Sequence, residues 1–242
     1  MKIGAIVQAR MRSTRLPGKV LLEAAGRTLL EHLIERLQTS NYLDLTIIAT
    51  STEPQDDVIA ALCTRRGFNL FRGSENDVLD RYYQAARHFQ LETVVRITSD
   101  CPLIDPGLVD SMIDFFLAHP GQYDLVTNRH PLTFPDGLDV DIMPLSSLEV
   151  AWAKATEPAQ REHTIPYFWQ AGMRVYNYQN PLNLFQKHRW TLDYPEDYSL
   201  IKAIYEALYQ PGVSFRMTDI LNYLDAHPEL SQINARYLCS GA

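Results

Sequence analysis

The chain has 242 residues, 46% hydrophobic and 21% charged, a composition that suits one soluble globular domain with a single large core over residues 1–242. Its 22 Lys and Arg against 29 Asp and Glu leave a net charge of −7, a field that repels a duplex and argues against nucleic acid as a partner. Cys63, Cys101 and Cys239 include no Cys-x-x-Cys pair, which argues against a disulfide scaffold or zinc knuckle and for reduced thiols in a cytoplasm, and no apolar run is long enough for a signal-peptide core or a membrane span.

The first predicted element is a strand over 3–9, built on Ile3-Gly4-Ala5-Ile6-Val7. It runs into Gln8-Ala9-Arg10-Met11-Arg12-Ser13-Thr14-Arg15-Leu16-Pro17-Gly18-Lys19. Arg10, Arg12, Arg15 and Lys19 place four cations within ten residues of an acidic chain, and such a local inversion of charge calls for a local anion. Arginine presents a planar fork that matches phosphate oxygens two at a time and lysine a point charge, while Ser13, Thr14 and Gly18 let backbone N–H groups approach a ligand. The loop reads as a polyphosphate grip. A solvated charged loop is the bland alternative. No Gly-x-x-x-x-Gly-Lys-Ser/Thr or Gly-x-Gly-x-x-Gly follows the strand, so neither a P-loop nor a dinucleotide-binding fold is supported.

Thr28 then caps a predicted helix whose apolar positions Leu29, Leu30, Leu33, Ile34 and Leu37 follow the 3.6-residue period. Predicted strands over 45–50, 68–71, 93–98 and about 123–127 alternate with helices over 56–66, 77–89 and 106–118. Repeated βα units of this length imply a mostly parallel sheet between two layers of helices, in which ligands bind beyond the carboxyl ends of the strands. Arg10, Thr50-Ser51, Arg72-Gly73-Ser74 and Ser99-Asp100 all follow predicted strands and are expected to face one crevice.

The pattern breaks over 128–170 into Phe134-Pro135-Asp136-Gly137, a strand over 138–143 and helices over 146–155 and 160–170. The segment reads as an elaboration on the sheet's edge that carries the acceptor or a subunit contact. Phe134, Leu138, Trp152, Ile165, Tyr167, Phe168 and Trp169 would be exposed on it, more apolar area than a flap buries against its own sheet, so a homodimer is expected. A last strand over 188–192 precedes Asp193 and a helix over 196–209 with Pro195 in its first turn; the remainder, including 217–226 and 229–238, reads as helical.

Asp100 and Asp193 end predicted strands and would project into the crevice. Magnesium takes one or two carboxylates and fills its octahedron with water and phosphate oxygens, so two strand-end aspartates facing an arginine-rich loop suit a metal–nucleotide site. The alternative is that each aspartate serves the following helix as a cap.

The basic loop, Arg72-Gly73-Ser74, Val78-Leu79-Asp80-Arg81-Tyr82, Thr98-Ser99-Asp100-Cys101-Pro102-Leu103-Ile104-Asp105, Pro135-Asp136-Gly137-Leu138-Asp139-Val140 and Leu192-Asp193-Tyr194-Pro195-Glu196-Asp197 together resemble the sugar cytidylyltransferases. The resemblance is to the branch named after spore coat polysaccharide biosynthesis protein F, related to the 3-deoxy-manno-octulosonate cytidylyltransferases. It implies a nucleotide-diphospho-sugar transferase fold and magnesium-dependent transfer of a nucleotidyl group from CTP to a sugar acid or sugar phosphate. By the resemblance, Arg10, Arg15 and Lys19 hold the departing phosphates and Asp100 and Asp193 hold Mg2+. Nucleotide contacts are expected from Gln8, Ala9, Arg10, Ser13, Arg15, Lys19, Arg72, Gly73, Ser74 and Thr98, although the octulosonate enzymes carry Gln where this chain has Thr98. Acceptor candidates are Asn128, Arg129, Asp136, Asp139, Arg161, Glu162 and His163.

Asp139-Val140-Asp141 leaves two readings open, an alternating strand edge with its acids in water or the Asp-x-Asp motif of a glycosyltransferase of related fold. A glycosyltransferase does not need four cations for a departing pyrophosphate. A catalytically silent sugar-nucleotide-binding subunit is the rival of another class; it would leave both strand-end aspartates and the loop cations idle.

Overall fold

β1 (Ile3–Gln8) is buried along its first five residues because it pairs in parallel with β4 (Leu45–Ser51) on one side and β6 (Thr93–Thr98) on the other, with helices over both faces. A strand covered on both faces reads as a continuous apolar run rather than an alternation. Gly4 is required by close packing, since a Cβ there would lie 2.6 Å from the Leu91 side chain. The computed structural model describes residues 1–238; Cys239 lies outside them.

The sheet has seven strands in the order β5 (Asn69–Gly73), β4, β1, β6, β8 (Asp141–Pro144), β7 (Leu125–Thr127), β9 (Val175–Asn177). β5, β4, β1 and β6 are mutually parallel, β8 runs antiparallel to both β6 and β7, and β9 is parallel to β7. Adjacent residues of β1 serve opposite layers. Val7 belongs to the core that joins the sheet to α1 (Leu29–Leu37), α2 (Asp57–Arg66), α4 (Pro106–Ala118), α8 (Pro195–Leu208) and α9 (Met217–Ala226). Ile6 belongs to the core shared with α3 (Val78–His88), α5 (Leu145–Lys154) and α7 (Pro166–Gln170). The result is the expected three-layer αβα sandwich.

Local signals behave as physics requires. Thr28 and Glu31 form a reciprocal capping box on α1, the Thr28 hydroxyl accepting from the Glu31 N–H at 3.2 Å and the Glu31 carboxylate from the Thr28 N–H at 2.7 Å. A small hairpin, β2 (Glu23–Ala24) and β3 (Arg27–Thr28), precedes it and is too short to show as periodicity.

Several expectations are corrected. The strand expected over 138–143 is β8 and lies inside the sheet, so 128–170 is not merely an edge elaboration. The helix expected over 160–170 breaks into α6 (Pro158–His163) and α7 around Thr164, whose φ is +67°, because Pro166 has no N–H to continue a helix. The strand expected over 188–192 does not join the sheet. Its backbone pairs with the 135–138 turn through one bridge, Asp136 to Arg189, and with the Asp100 loop, where the Leu192 N–H donates to the Asp100 carbonyl at 2.8 Å. Gly137 permits that approach, since at φ +106° a Cβ would lie 2.5 Å from the Thr191 nitrogen. β9 was not anticipated, and 229–238 holds only α10 (Pro228–Ser231) and a 3-10 turn, Ala235–Tyr237.

The apolar side chains expected on the surface are mostly inside. Phe134, Leu138, Ile165 and Phe168 are buried, and Trp152, Tyr167 and Trp169 pack partly against the smaller core. With those side chains inside, exposed apolar area does not call for a homodimer. Cys63 and Cys101 are free and buried, and burial raises both thiols, Cys63 to about 11, which makes neither a nucleophile. Among the described residues no helix is long and apolar enough to cross a membrane.

Candidate active site

At the carboxyl ends of β1 and β6 a cleft of about 600 Å³ is lined by Gln8 and Arg10, by Ser13, Arg15 and Lys19 of the basic loop, by Thr98 and Asp100, and by Asp193 ahead of α8. Gln8, Arg10, Thr98, Asp100 and Asp193 also line a further space of about 310 Å³ that continues to Arg129, Asp136, Asp139 and Arg189. A third, of about 510 Å³, extends from Arg129, Asp136 and Asp139 past His163 to Trp169 and Phe185. The three form one trough, basic at one end and mixed in charge toward the other.

Asp56, fully buried, holds the start of the basic loop. One of its oxygens accepts the Met11 N–H at 2.7 Å and the other accepts the Ser51 N–H and hydroxyl, so the loop is tied to the end of β4. Gly18, at φ +71°, closes the loop by donating its N–H to the Met11 carbonyl at 3.0 Å, and Lys19 then opens a 3-10 turn. The loop thereby turns its cations into the cleft.

Those cations meet the two predicted metal carboxylates. The Lys19 ammonium donates to the Leu192 carbonyl at 2.6 Å and to Asp193 Oδ1 at 2.9 Å, and lies 3.7 Å from Asp100 Oδ2. Arg15 pairs with the same Asp193 oxygen at 2.7 Å, and Arg189 reaches the other at 3.3 Å. Burial pushes the Asp193 carboxyl up, but Lys19, Arg15 and Arg189 outweigh it and hold the group below the ordinary aspartate range. Asp193 is therefore an anion at neutral pH.

The position of Asp193 is set by Asp197, three residues into α8. Its buried carboxylate accepts the Asp193 and Tyr194 N–H groups at 2.9 Å each, satisfying donors that a helix start leaves unpaired, and grips Arg189 at 3.0 and 3.1 Å. Arg189 also holds Asp136 at 2.8 Å.

Asp100 is the less committed carboxylate, with one-third of its side chain exposed and Oδ1 facing only the Cys101 thiol at 3.8 Å. Two carboxylates sharing one ammonium mark a position for a cation, and their hard oxygens fit a divalent ion that takes its remaining ligands from phosphate and water. Among the described residues no three His, Cys, Asp or Glu side chains gather closely enough to hold a metal by themselves.

A cleft at the strand ends with a cationic loop over paired aspartates is the arrangement the resemblance implied. The sequence profile of the cytidylyltransferase family matches residues 4–216. The chain belongs to the cytidylyltransferase family. It is 34% identical over 233 residues to the spore coat polysaccharide biosynthesis protein SpsF of Bacillus subtilis, covering 93% of this chain and 94% of that one. It is 37% identical over 238 residues to an uncharacterized protein of Methanocaldococcus jannaschii, covering 97% and 95%. A solved cytidylyltransferase structure from Leptospira borgpetersenii superposes with a TM-score of 0.91 at 35% identity, covering 96% and 97% of the two chains. A CMP:2-keto-3-deoxy-manno-octonic acid synthetase solved with CTP shares the fold, with a TM-score of 0.63 at 16% identity over 84% of this chain and 98% of that one. The family makes this chain a nucleotidyltransferase of the corresponding α/β fold.

Not every predicted site residue of this cytidylyltransferase faces the cleft. Arg72 turns to the Ser51 carbonyl at 2.9 Å, the Glu53 carbonyl at 3.1 Å and Asp57 at 2.7 Å, bracing β5 against β4, and neither it nor Gly73 nor Ser74 lines the space. Glu75 and Asn76, one turn further on, do. Ala9 is buried and spends its N–H on the Ala49 carbonyl. Asn128 is buried too, its amide bridging the Leu138 carbonyl at 2.7 Å and the Val140 N–H at 2.9 Å. Arg161 anchors α6 to the start of α3, pairing with Asp77 at 3.0 Å and with the Trp152 carbonyl at 2.6 Å. Glu162, His163, Arg129, Asp136 and Asp139 remain on the trough.

The Asp-x-Asp reading fails on burial. Asp141 is sealed in β8, paired with Arg96 at 2.7 Å and accepting the Thr127 hydroxyl at 2.6 Å, while Asp139, ahead of the strand and partly exposed, pairs at 3.0 Å with Arg129, which also reaches Asp141 at 3.7 Å. Residues two apart fall on the same side of a strand, so burial and not alternation separates the two acids, and the expected water face for Asp141 is a core. Asp56, Arg189 and Asp197 were not anticipated. Asp197 alone carried a legible signal, an acid at the third position of a helix opened by Pro195.

Burial pushes Asp136 from its ordinary 3.8 up to about 6, and Asp139 adds to the rise against the pull of Arg189. A raised carboxyl favours the folded state while protonated, so its contribution is present below the ordinary value and is lost as pH climbs toward 6. Asp136→Asn should therefore flatten the fall in melting temperature between about pH 4 and pH 6 relative to the parent. Parallel pH–melting curves for the two proteins would contradict the assignment.

Proposed function

We propose that the protein is a magnesium-dependent cytidylyltransferase that joins CTP to a sugar acid or sugar phosphate, releasing pyrophosphate, in the cytoplasm and for surface polysaccharide biosynthesis. The observation that carries this reading is the knot of Arg15, Lys19, Asp100 and Asp193 at the mouth of the cleft, which presents cations for a polyphosphate beside carboxylates for a metal. SpsF's name, which refers to polysaccharide biosynthesis, and the CTP bound to the octulosonic acid synthetase support the choice of pathway and nucleotide. A homodimer belongs to the reading on resemblance alone.

An acceptor oxygen attacks the α-phosphorus in line; the new P–O bond forms as the bond to the β-phosphate oxygen breaks, and its electron pair leaves with pyrophosphate. Little covalent work falls to the protein, so orientation and electrostatic stabilisation dominate. Arg10, Arg15 and Lys19 hold the β- and γ-phosphates as charge accumulates on them. Asp100 and Asp193 would hold magnesium, which when bound would supply positive charge for phosphate oxygens and lower the pKa of an attacking hydroxyl. Gln8, Thr98, Glu75 and Asn76 face the base, and Arg129, Asp136, Asp139, Glu162 and His163 face the acceptor.

Thermal-shift measurements with magnesium and each of CTP, UTP, GTP and ATP test the nucleotide, since binding to the native state raises the melting temperature. CTP should stabilise most, with UTP about ten- to a hundredfold weaker because it leaves a buried group unpaired. Stabilisation by GTP or ATP alone would overturn the cytidylyl assignment and spare nucleotidyl transfer. A panel of sugar acids and sugar phosphates, read by pyrophosphate release, then identifies the acceptor.

Arg15→Ala and Lys19→Ala should each raise the Michaelis constant for the triphosphate and lower the rate, because each meets a group whose charge grows as pyrophosphate departs. Binding of nucleoside monophosphate should barely change. Equal weakening for mono- and triphosphate would sink the assignment of the loop to the terminal phosphates.

A further inference from the structure

The family profile stops at residue 216, yet the supports of Asp193 continue beyond it. Asn234 is 2% exposed and directs its amide NH2 group to two acceptors, the Arg189 carbonyl at 2.9 Å and Asp197 Oδ1 at 2.8 Å. Both donor hydrogens are thereby used, which fixes the direction of the amide. The same Asp197 carboxylate receives the Asp193 and Tyr194 N–H groups and holds the Arg189 guanidinium, whose other contacts are Asp193 and Asp136. Asn234 thus closes a ring whose remaining members end on the cleft.

Three residues later Tyr237 stacks face to face on Tyr194, ring centres 3.9 Å apart and planes 2° from parallel. Its hydroxyl donates to Glu196 at 3.3 Å, and Arg236 bonds both that hydroxyl and Glu196, so the ring is held at its rim. Tyr194 in turn carries the Arg15 guanidinium, 5.3 Å from its ring centre. Arg15 is half exposed, and its ion pair among the described residues is with Asp193.

We infer that the C-terminal turn, through Asn234 and Tyr237, is a strut that positions Asp193 and Arg15 for a magnesium-bound pyrophosphate group. Neither side chain lines the cleft, so both are positioning residues: Asn234 acts through Asp197 and Arg189, and Tyr237 through Tyr194. The inference rests on the reading of the cleft as a polyphosphate site.

The test is calorimetric titration of the full chain with inorganic pyrophosphate in magnesium, well below the melting midpoint of every variant. A merely structural role would lower the melting temperature and leave the affinity of the folded protein unchanged. Asn234→Ala and Tyr237→Ala should instead each weaken pyrophosphate binding about tenfold, the scale of one lost buried hydrogen bond or aromatic contact. Tyr237→Phe keeps the stacked ring and should bind like the parent. Should Asn234→Ala fail to fold, the Tyr237 pair carries the test, because that ring lies at the surface of α8. Folded alanine variants that bind within about twofold of the parent would overturn the strut alone. A parent that ignores pyrophosphate would overturn the polyphosphate reading and the strut with it.

Discussion

Asp193→Asn is expected to lower turnover by at least about a hundredfold while the protein stays folded, and Asp100→Asn should behave similarly. Among the described residues Asp193 is the anion that pairs with Arg15, and it lies against Lys19 and Arg189 as well. Without its charge three cations face one another across the place where phosphate charge must be balanced, and one ligand of the proposed metal is gone. Asp100, more exposed and less engaged, is the freer of the two ligands, so its loss should act on the rate with little effect on stability. Steady-state pyrophosphate release, with circular dichroism to confirm folding, measures both. A folded Asp193→Asn protein that retained most of its turnover would remove Asp193 from the metal site.

Asp141→Asn should act by the opposite route, costing about 3–5 kcal/mol of stability, the scale of a buried ion pair that has lost one charge. The Asp141 carboxylate is fully buried between β6 and β7, where Arg96 is itself 6% exposed and the Thr127 hydroxyl donates to it at 2.6 Å. Asparagine keeps the volume and leaves the Arg96 guanidinium without its close counter-charge. Urea denaturation should show the midpoint falling with the slope unchanged. An unaltered midpoint accompanied by abolished turnover would restore the Asp-x-Asp reading, because only a charge used in chemistry could be lost so cheaply to the fold.

Much of this was legible from the residues. Apolar runs flanked by caps place β1, β4, β6 and the helices α1 to α4 because those signals are local: a 3.6-residue period, a Thr cap, an apolar run of strand length. The cationic loop and Asp100 were legible for a related reason, since parallel βα units deliver whatever follows their strands to one crevice; Asp193 reaches the same crevice through the 188–192 segment, which pairs with the Asp100 loop and not with the sheet. What the chain could not show by itself was which side chains spend their hydrogen bonds on the protein. Arg72 and Arg161 carry the same charge as Arg10, yet one finds the Ser51 and Glu53 carbonyls and the other Asp77, so both become braces. Asp141 and Asp139 are two residues apart, and only the insertion of β8 between β6 and β7 decides that one is sealed and the other faces the trough. Asp56, Arg189, Asp197 and Asn234 act on groups far along the chain or across an irregular loop, where no period exists to be read. Sequence determined the layers and the charges offered to the cleft, because those follow from neighbouring residues; tertiary structure decided which charges remain free for a ligand, because pairing depends on distances that the local pattern does not contain.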